Sequence, residues 1–149
     1  MKNSPAECIF CKIIRRELPA EILYENDTVV SILDINPIHF GHALVIPKMH
    51  CFDFLSIPEG DLYDVLRAAR IVTRGIVRGL NLDGFNIFSN NGKVAGQSVV
   101  HFHLHITPRD PDDNIKFVLK LKSYEDGLLA EYGARIREHI LHHTITKEG

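Results

Sequence analysis

Three histidines alternate with apolar residues in the segment 99–106. They are His101, His103 and His105, three of the nine histidines in a chain of 149 residues. Because successive side chains of a β-strand point to opposite faces, the three imidazoles would share one face at a spacing of roughly 6.6 Å. The residues between and after them are apolar and would face the core: Phe102, Leu104 and Ile106.

Imidazoles in this pattern suit phosphoryl chemistry. A neutral imidazole is a good nucleophile near pH 7 and leaves readily from an N-phosphoryl adduct, so one difficult displacement becomes two easier ones. A second histidine can stabilise phosphate charge or protonate the departing group. Gly92 and Gly96 lie just upstream, in a loop suited to close approach by an anion. The alternative interpretation is three solvent-facing histidines on an edge strand.

A second candidate group begins with Cys8 and Cys11, which stand in a C-x-x-C spacing. Two thiolates within one turn suit tetrahedral zinc. The alternative is a pair of buried, reduced cysteines at the start of a helix. A redox pair would need a thioredoxin-like βαβ context, which the sequence lacks. Cys51 is interpreted as a core thiol.

Composition bounds the class of protein. With 45% hydrophobic and 24% charged residues, the chain fits one ordinary soluble domain over 1–149. A net charge of −2 argues against binding nucleic-acid polymers, although a local pocket could still hold a small nucleotide. The N-terminus lacks the apolar run of a signal peptide and no stretch approaches membrane-spanning length, so we expect a cytoplasmic protein with no membrane partner.

Periodicity and turn signals predict the elements that position these residues. We expect a short helix over 8–17, a long helix from a Ser56–Glu59 capping box to Leu80, and a last helix over 124–142. Strands are predicted over 21–24, 28–33, 43–46, 84–89 and 99–107. About five strands around one long central helix predict an α+β fold with an antiparallel sheet.

The segment HFHLHIT at 101–107, led by GQSVV, closely resembles the signature of the histidine-triad (HIT) family of nucleotide hydrolases and transferases. Segments at 8–14, 18–20, 33–37 and 41–50 match its bacterial and purine-nucleoside phosphoramidase (Hint) branches in order and rough spacing. The resemblance covers about residues 8–109. It implies a single HIT-like domain, with 110–149 as a C-terminal extension that carries a helix.

The resemblance also implies roles for individual residues. His103 would attack the α-phosphate and become transiently nucleotidylated, while His101 would orient it. His105 would contact the phosphate and help the departing group. Gln97 and Ser98 would hydrogen-bond the phosphate or the leaving group.

Further residues would hold the nucleotide. Asn90 would reach the phosphate region, and Asp34 fits the family's ribose-binding acid, since a carboxylate accepts hydrogen bonds from sugar hydroxyls. Phe10, Leu18 and Ile32 would line the base pocket. Asp34 could equally be a turn residue, and the three apolar residues could equally be ordinary core.

In many bacterial relatives the two cysteines are joined by two histidines, here His50 and His101. This Cys₂His₂ set would be a closed, structural zinc site. We expect His42, of the family's Gly-His pattern, to be structural. His139 and His143 are four residues apart and could chelate a metal. The simpler interpretation places them, with His142, at a helix C-terminus.

The resemblance favours a hydrolase, because the transferase branch has Gln where this chain has His105. The substrate stays open between purine nucleoside phosphoramidates or related nucleotide conjugates and dinucleoside polyphosphates. A protein of another class also stays open: a zinc-stabilised module that binds nucleotides or partners, with incidental turnover. The family further implies a homodimer with a ten-strand sheet over paired central helices. We expect the contact along an apolar stripe: Val65, Ala69, Val72 and Ile76.

Overall fold

The computed structural model describes residues 4–116 and 118–145, with side chains up to residue 140. These residues form two compact units, one ending at Ile115 and the other beginning at Lys116. The segment 8–109, which carries the sequence motifs, lies in the first unit. None of the helices in the described part of the chain combines the length and hydrophobicity that a membrane span requires.

The first unit contains one five-stranded antiparallel sheet, which confirms the predicted α+β class. Its strands are β1 (Ile22–Glu25), β2 (Val29–Leu33), β3 (Ala43–Pro47), β4 (Gly84–Phe88) and β5 (Leu104–Arg109). Their order across the sheet is β1-β2-β3-β5-β4. The helices are α1 (Ile9–Ile14), α2 (Glu59–Leu80) and, in the second unit, α3 (Leu128–Ile145), with a 3₁₀ turn at Lys93–Ala95.

Helix α2 packs along one face of the sheet and supplies five residues of the main core. The apolar stripe predicted to meet a second chain is buried within this chain: Val65, Ala69, Val72 and Ile76. Its partners come from β2, β3 and the segment 102–106: Val29, Val45, Phe102, Leu104 and Ile106. The expected use of the stripe in a dimer contact is therefore wrong, because the chain's own sheet already covers it.

The opposite face of the sheet carries α1 and a second apolar cluster. The cluster joins residues at the start of the chain to alternate residues of β2 and β3. Its members are Cys8, Phe10, Cys11 and Ile13, and Val30, Ile32, Leu44 and Ile46. Side chains alternate between the two faces along β2 and β3, as the strand geometry requires. This second face is the one on which the histidines lie.

The strand predicted over 99–107 begins only at Leu104. Upstream, the His101 N–H donates to the Val99 carbonyl (2.9 Å) and the Phe102 N–H donates to the Cys51 carbonyl (2.7 Å). These hydrogen bonds take the place of strand pairing between this segment and β3, and β3 itself ends at Pro47. The predicted alternation still holds, since Phe102 joins the core under α2 and the three histidines take the other face.

The capping box predicted at the start of α2 does not form. Pro58 occupies the N-cap position and offers no side-chain hydrogen bond. The Ser56 hydroxyl instead donates to the Asp53 carbonyl (3.0 Å) and accepts from the Asp53 N–H (3.0 Å). The Asp53 carboxylate also accepts the Ser56 N–H (3.0 Å), so the turn before the helix has its own closed network.

The other helix ends differ modestly from the prediction. Helix α1 is shorter than the predicted 8–17, and its chain reverses at Arg16, whose φ is 64°. Helix α3 begins at Leu128, later than predicted. Its expected apolar stripe is exposed: Leu129, Tyr132, Ile136 and Ile140.

Candidate active site

The three histidines lie in one layer on the second face of the sheet, although only His105 belongs to a regular strand. The ring centroids of His103 and His105 are 4.8 Å apart in an edge-to-face arrangement. His101 is fully buried and His103 is 4% exposed, whereas His105 is half-buried. The alternative of three solvent-facing imidazoles is therefore wrong.

Hydrogen bonds fix which nitrogen of His103 carries the proton. Its Nδ1 lies 2.7 Å from the carbonyl oxygen of His101. A carbonyl oxygen only accepts, so Nδ1 carries the proton and Nε2 keeps its lone pair. The free nitrogen of His103 is thus the one a nucleophile needs, and His103 lines the cavity described below.

The same reasoning gives His101 the opposite tautomer. Its Nε2 lies 2.8 Å from the carbonyl oxygen of Pro47, so Nε2 donates. The lone pair of Nδ1 then points at two thiols, 3.4 Å from Cys8 Sγ and 3.6 Å from Cys11 Sγ. His101 therefore serves two partners: its side chain faces the cysteines and its backbone carbonyl holds His103.

His105 is oriented by His42, a residue whose contact with the histidine triad was not predicted from the sequence. The Ile38 N–H donates to His42 Nδ1 (3.2 Å), so the proton of neutral His42 is on Nε2. That Nε2 donates to His105 Nδ1 at 2.9 Å. Neutral His105 must then carry its own proton on Nε2, where it is a hydrogen-bond donor.

Burial keeps these imidazoles neutral near pH 7. The pKa of His105 is lowered to about 4, mainly by desolvation. His103 and His42 also lower this pKa, and their effect is larger than the opposite effect of Asp34. Desolvation also lowers the pKa of His103, against hydrogen bonding to the His101 carbonyl and the charge of Asp34. The pKa of His42 is lowered in the same way, mainly by burial. A neutral imidazole is the nucleophilic form, so the environment suits attack by His103.

A cavity of about 490 Å³ opens beside His103 and His105. Its wall includes the predicted base-pocket residues Phe10, Leu18 and Ile32. Phe10 packs edge-on against His103, with ring centroids 5.1 Å apart. The wall is mainly apolar, which suits the face of a nucleobase.

Asp34 lies at the rim of this cavity, at the end of β2. Its Oδ1 accepts the Asn36 N–H (2.8 Å) and its Oδ2 lies 3.5 Å from His42 Nδ1. Asp34 is therefore a turn residue and also a carboxylate on the cavity wall. The two interpretations left open by the sequence are compatible.

The three residues predicted to contact the phosphate, Gln97, Ser98 and Asn90, have different surroundings. Ser98 lines the cavity and is exposed. The side chain of Gln97 braces the loop, because its Oε1 accepts the Gly92 N–H (2.8 Å) and its Nε2 donates to the Phe52 carbonyl (2.7 Å). Asn90 lies beside Gly96 in the same loop. Contacts of these three residues with a phosphate stay predictions.

The predicted zinc ligands come together on the far side of His101. One ligand atom from each of Cys8, Cys11, His50 and His101 lies within 4.8 Å of the others. Cys11 Sγ is 3.2 Å from His50 Nδ1. Sulfur and nitrogen ligands of a tetrahedral zinc stand roughly 3.5 Å apart, so these distances fit the ion. Cys51 is buried outside this group.

Burial shifts the pKa values of two residues in this cluster in opposite directions. Burial, together with the neighbouring Cys8, raises the pKa of Cys11 to about 11. Desolvation lowers the pKa of His101 to about 4, so its imidazole is neutral and free to ligate. A metal ion would release the thiol protons on binding, which is the usual linkage at cysteine sites.

His139 lies on α3, where its ring contacts the Arg135 carbonyl at 2.9 Å. The side chains of His142 and His143 fall outside the described part of the chain, so their proposed placement stays a prediction.

The chain has a five-stranded antiparallel sheet, a buried row of histidines and a loop with two glycines. These features define a protein of the histidine-triad class, and comparison with known proteins gives the same class. Residues 15–112 match the HIT domain, and the chain belongs to this family. It is 41% identical over 107 residues to the adenylylsulfatase HINT3 of Arabidopsis thaliana, covering 72% of this chain and 54% of that protein. It is 41% identical over 104 residues to the adenosine 5′-monophosphoramidase HNT1 of Saccharomyces cerevisiae, covering 70% and 63%.

Solved structures give the same assignment. A HIT family protein from Bacillus subtilis superposes with a TM-score of 0.83 at 34% identity, covering 88% of this chain and 95% of that one. A zinc-bound histidine triad protein from Mycobacterium smegmatis superposes with a TM-score of 0.72 at 36% identity, covering 91% and 99%.

Proposed function

We propose that this protein is a nucleotide hydrolase that cleaves purine nucleoside phosphoramidates and related conjugates at the α-phosphate. One observation carries the proposal: His103 presents a lone pair on Nε2 beside an apolar cavity with a carboxylate at its rim. Binding alone would not require a nucleophile held in that tautomer. The names of the relatives HINT3 and HNT1 support the same class of reaction.

In the first step, His103 Nε2 attacks the α-phosphorus. The new N–P bond forms as the bond to the leaving group breaks. The leaving group takes the electron pair and, where it is an amine, also takes a proton from solvent. The His103 ring then carries a positive charge, which the His101 carbonyl stabilises through the Nδ1–H bond. His105 donates a hydrogen bond from Nε2 to the phosphate oxygen or the departing atom.

In the second step, water attacks the nucleotidyl phosphorus. The N–P bond breaks, His103 recovers the lone pair on Nε2, and the proton lost by water passes to solvent. Throughout, the apolar wall with Phe10 and Ile32 would hold the base, and Asp34 would accept hydrogen bonds from the ribose hydroxyls. The nucleotide would then lie across the cavity, with its phosphate at His103.

We also propose that Cys8, Cys11, His50 and His101 hold a structural zinc ion. The ligand distances, the two thiols and the neutral imidazole of His101 support this assignment. The zinc-bound relative from Mycobacterium smegmatis supports it as well. A closed Cys₂His₂ zinc supplies folding energy rather than chemistry. Its effect on the reaction would come through the His101 carbonyl, which orients His103.

The functional unit we propose is a homodimer formed through β4 and the adjacent side of α2. Strand β4 is an edge of the sheet, and exposed edges are normally paired or covered. Between β4 and α2 lies an apolar groove whose lining includes Leu66, Phe85 and Ile87. Each of these three is nearly half exposed in the single chain. Pairing two β4 strands would join the sheets into ten strands and cover this groove.

Single-turnover AMP release tests the proposed activity. With protein in excess over adenosine 5′-phosphoramidate, we expect AMP to form with the unmodified protein and not with folded His103→Ala. Adenylyl sulfate and a dinucleoside polyphosphate in parallel assays would rank the leaving groups. A protein that binds AMP but cleaves none of the three would be a binding module, contrary to the proposal.

A further inference from the structure

Phe88 stacks flat on His105. The two residues are direct cross-strand partners on β4 and β5. Their rings lie 8° from parallel, with centroids 4.7 Å apart. Phe88 is the last residue of β4 and is half-buried on the histidine face of the sheet. Phe85 and Ile87 on the same strand face the groove beside α2 instead.

The other side of His105 is held by His42. Their ring centroids are 5.1 Å apart at 32°, and the hydrogen bond from His42 Nε2 reaches His105 Nδ1. The two neighbours restrict different motions. Phe88 opposes tilting of the ring, since tilt would drive one edge into the aromatic face. His42 selects which nitrogen points inward. A tilt of the His105 ring would break the bond from His42 to Nδ1, so the tautomer depends on Phe88 as well.

We propose that Phe88 is a positioning residue that, with His42, holds His105 in the one orientation and tautomer that directs Nε2–H at the leaving group. The inference rests on the proposed function. Its structural part, however, concerns the resting protein and can be measured without substrate.

The contacts of His105 with His42 and Phe88 oppose protonation of its ring. A proton on Nδ1 would face the Nε2–H of His42, and His42 could change tautomer only by losing the Ile38 N–H bond. The titratable groups that face His105 are Asp34, His42 and His103. Phe88 covers a ring face that water would otherwise solvate, and a desolvated imidazole disfavours its charged form. His105 is therefore a fixed neutral donor.

An aliphatic side chain at position 88 would not do the same. Leucine fills similar space but has no flat face, so the His105 ring could tilt and water could reach it. Misplacement of a catalytic group by about 1 Å can cost on the order of 100-fold in rate. Tyrosine keeps the aromatic face and should keep the function.

The experiment compares Phe88→Leu and Phe88→Tyr with the matched control Phe54→Leu, which removes a half-exposed aromatic ring that packs against Phe102 and not against the triad. Nitrogen-15 spectra of the histidines report the tautomer of His105 in the substrate-free protein, and steady-state kinetics separate kcat from KM. For Phe88→Leu we expect a mixed tautomer at His105 and roughly tenfold lower kcat with nearly unchanged KM. Phe88→Tyr and Phe54→Leu should match the unmodified protein in both measurements.

An unchanged His105 tautomer in folded Phe88→Leu would overturn the inference, whatever its activity. Loss of kcat in Phe54→Leu equal to that in Phe88→Leu would also overturn it, because general destabilisation would then suffice. If the unmodified protein hydrolyses no nucleotide conjugate, the proposed function fails. The tautomer comparison would still decide whether Phe88 positions His105.

Discussion

His103 Nδ1 lies 2.7 Å from the backbone carbonyl oxygen of His101, and this bond joins two sites that the sequence presents separately. The side chain of His101 faces Cys8 and Cys11, whereas its carbonyl determines the tautomer of His103. Anything that moves the backbone at His101 therefore moves His103. The proposed metal site and the proposed reaction would be coupled through this one residue.

The metal assignment predicts about one zinc per chain in purified protein. Cys8→Ser should lose the metal, melt at a lower temperature and lose kcat through the displaced His101 carbonyl. Metal analysis and thermal unfolding measure the first two effects. Cys51→Ser is the control, since Cys51 is also a buried free cysteine but lies outside the cluster. Metal-free protein whose melting is unaffected by Cys8→Ser would contradict the assignment.

His42 should matter for turnover more than for nucleotide binding. In His42→Ala, His105 Nδ1 loses its donor, so we expect kcat to fall by roughly 10- to 100-fold with AMP affinity little changed. The control is His39→Ala in the same loop, because His39 pairs with Asp110 and not with the triad. Equal kcat in the two variants would show that the His42–His105 bond has no role in turnover.

Two exposed positions on α2 test the dimer. We expect light scattering to give about twice 16.9 kDa for the unmodified protein. Leu66→Glu places a charge in the groove beside β4 and should yield a folded monomer. Ile71→Glu is the control, since Ile71 is similarly exposed on the same helix but lines a different groove. A well-folded monomer of the unmodified protein at micromolar concentration would contradict the proposed assembly.

Stability should fall as the pH is lowered from about 6.5 to about 4. The pKa of His105 is about 4 in the folded chain, against an ordinary value of 6.5. Between these values the unfolded chain binds the proton and the folded chain does not, so acid favours unfolding. His42 acts in the same direction. Denaturant unfolding across this range should show a shallower pH dependence in His105→Gln than in the unmodified protein. The exposed-residue control His139→Gln should leave the slope unchanged, and equal slopes in all three proteins would refute the prediction.

Much of this site was predictable because its signals are local. Alternation in 101–106 predicted which face the histidines share, and the resemblance to HIT proteins named the four residues that the structure brings together as a possible metal site. Periodicity also located α2, because its apolar stripe covers the sheet. What the stripe covers was not predictable, since the same pattern fits a partner chain and the chain's own strands. For this reason the stripe was assigned to a dimer contact, whereas its side chains are buried against the sheet of the same chain.

Other features depend on distant contacts that periodicity does not encode. The histidine strand begins late because the Phe102 N–H bonds to the carbonyl of Cys51, 51 positions away. The predicted capping box does not form because Ser56 is hydrogen-bonded to Asp53 instead. The partnership of His42 with His105 spans 63 positions, and no spacing rule connects them. Gly41, directly before His42, gave the available hint: its φ is +87°, a backbone conformation that favours glycine.

The most direct test of the proposed mechanism is to trap the covalent intermediate. Rapid quenching of a single turnover, followed by intact mass and peptide mapping, should find a nucleotidyl group on His103. Slowing the reaction with His105→Ala should increase the trapped fraction, and His103→Ala should remove it while keeping the fold and AMP binding. Turnover by folded His103→Ala, or an adduct on another residue, would contradict the assignment of His103 as the nucleophile.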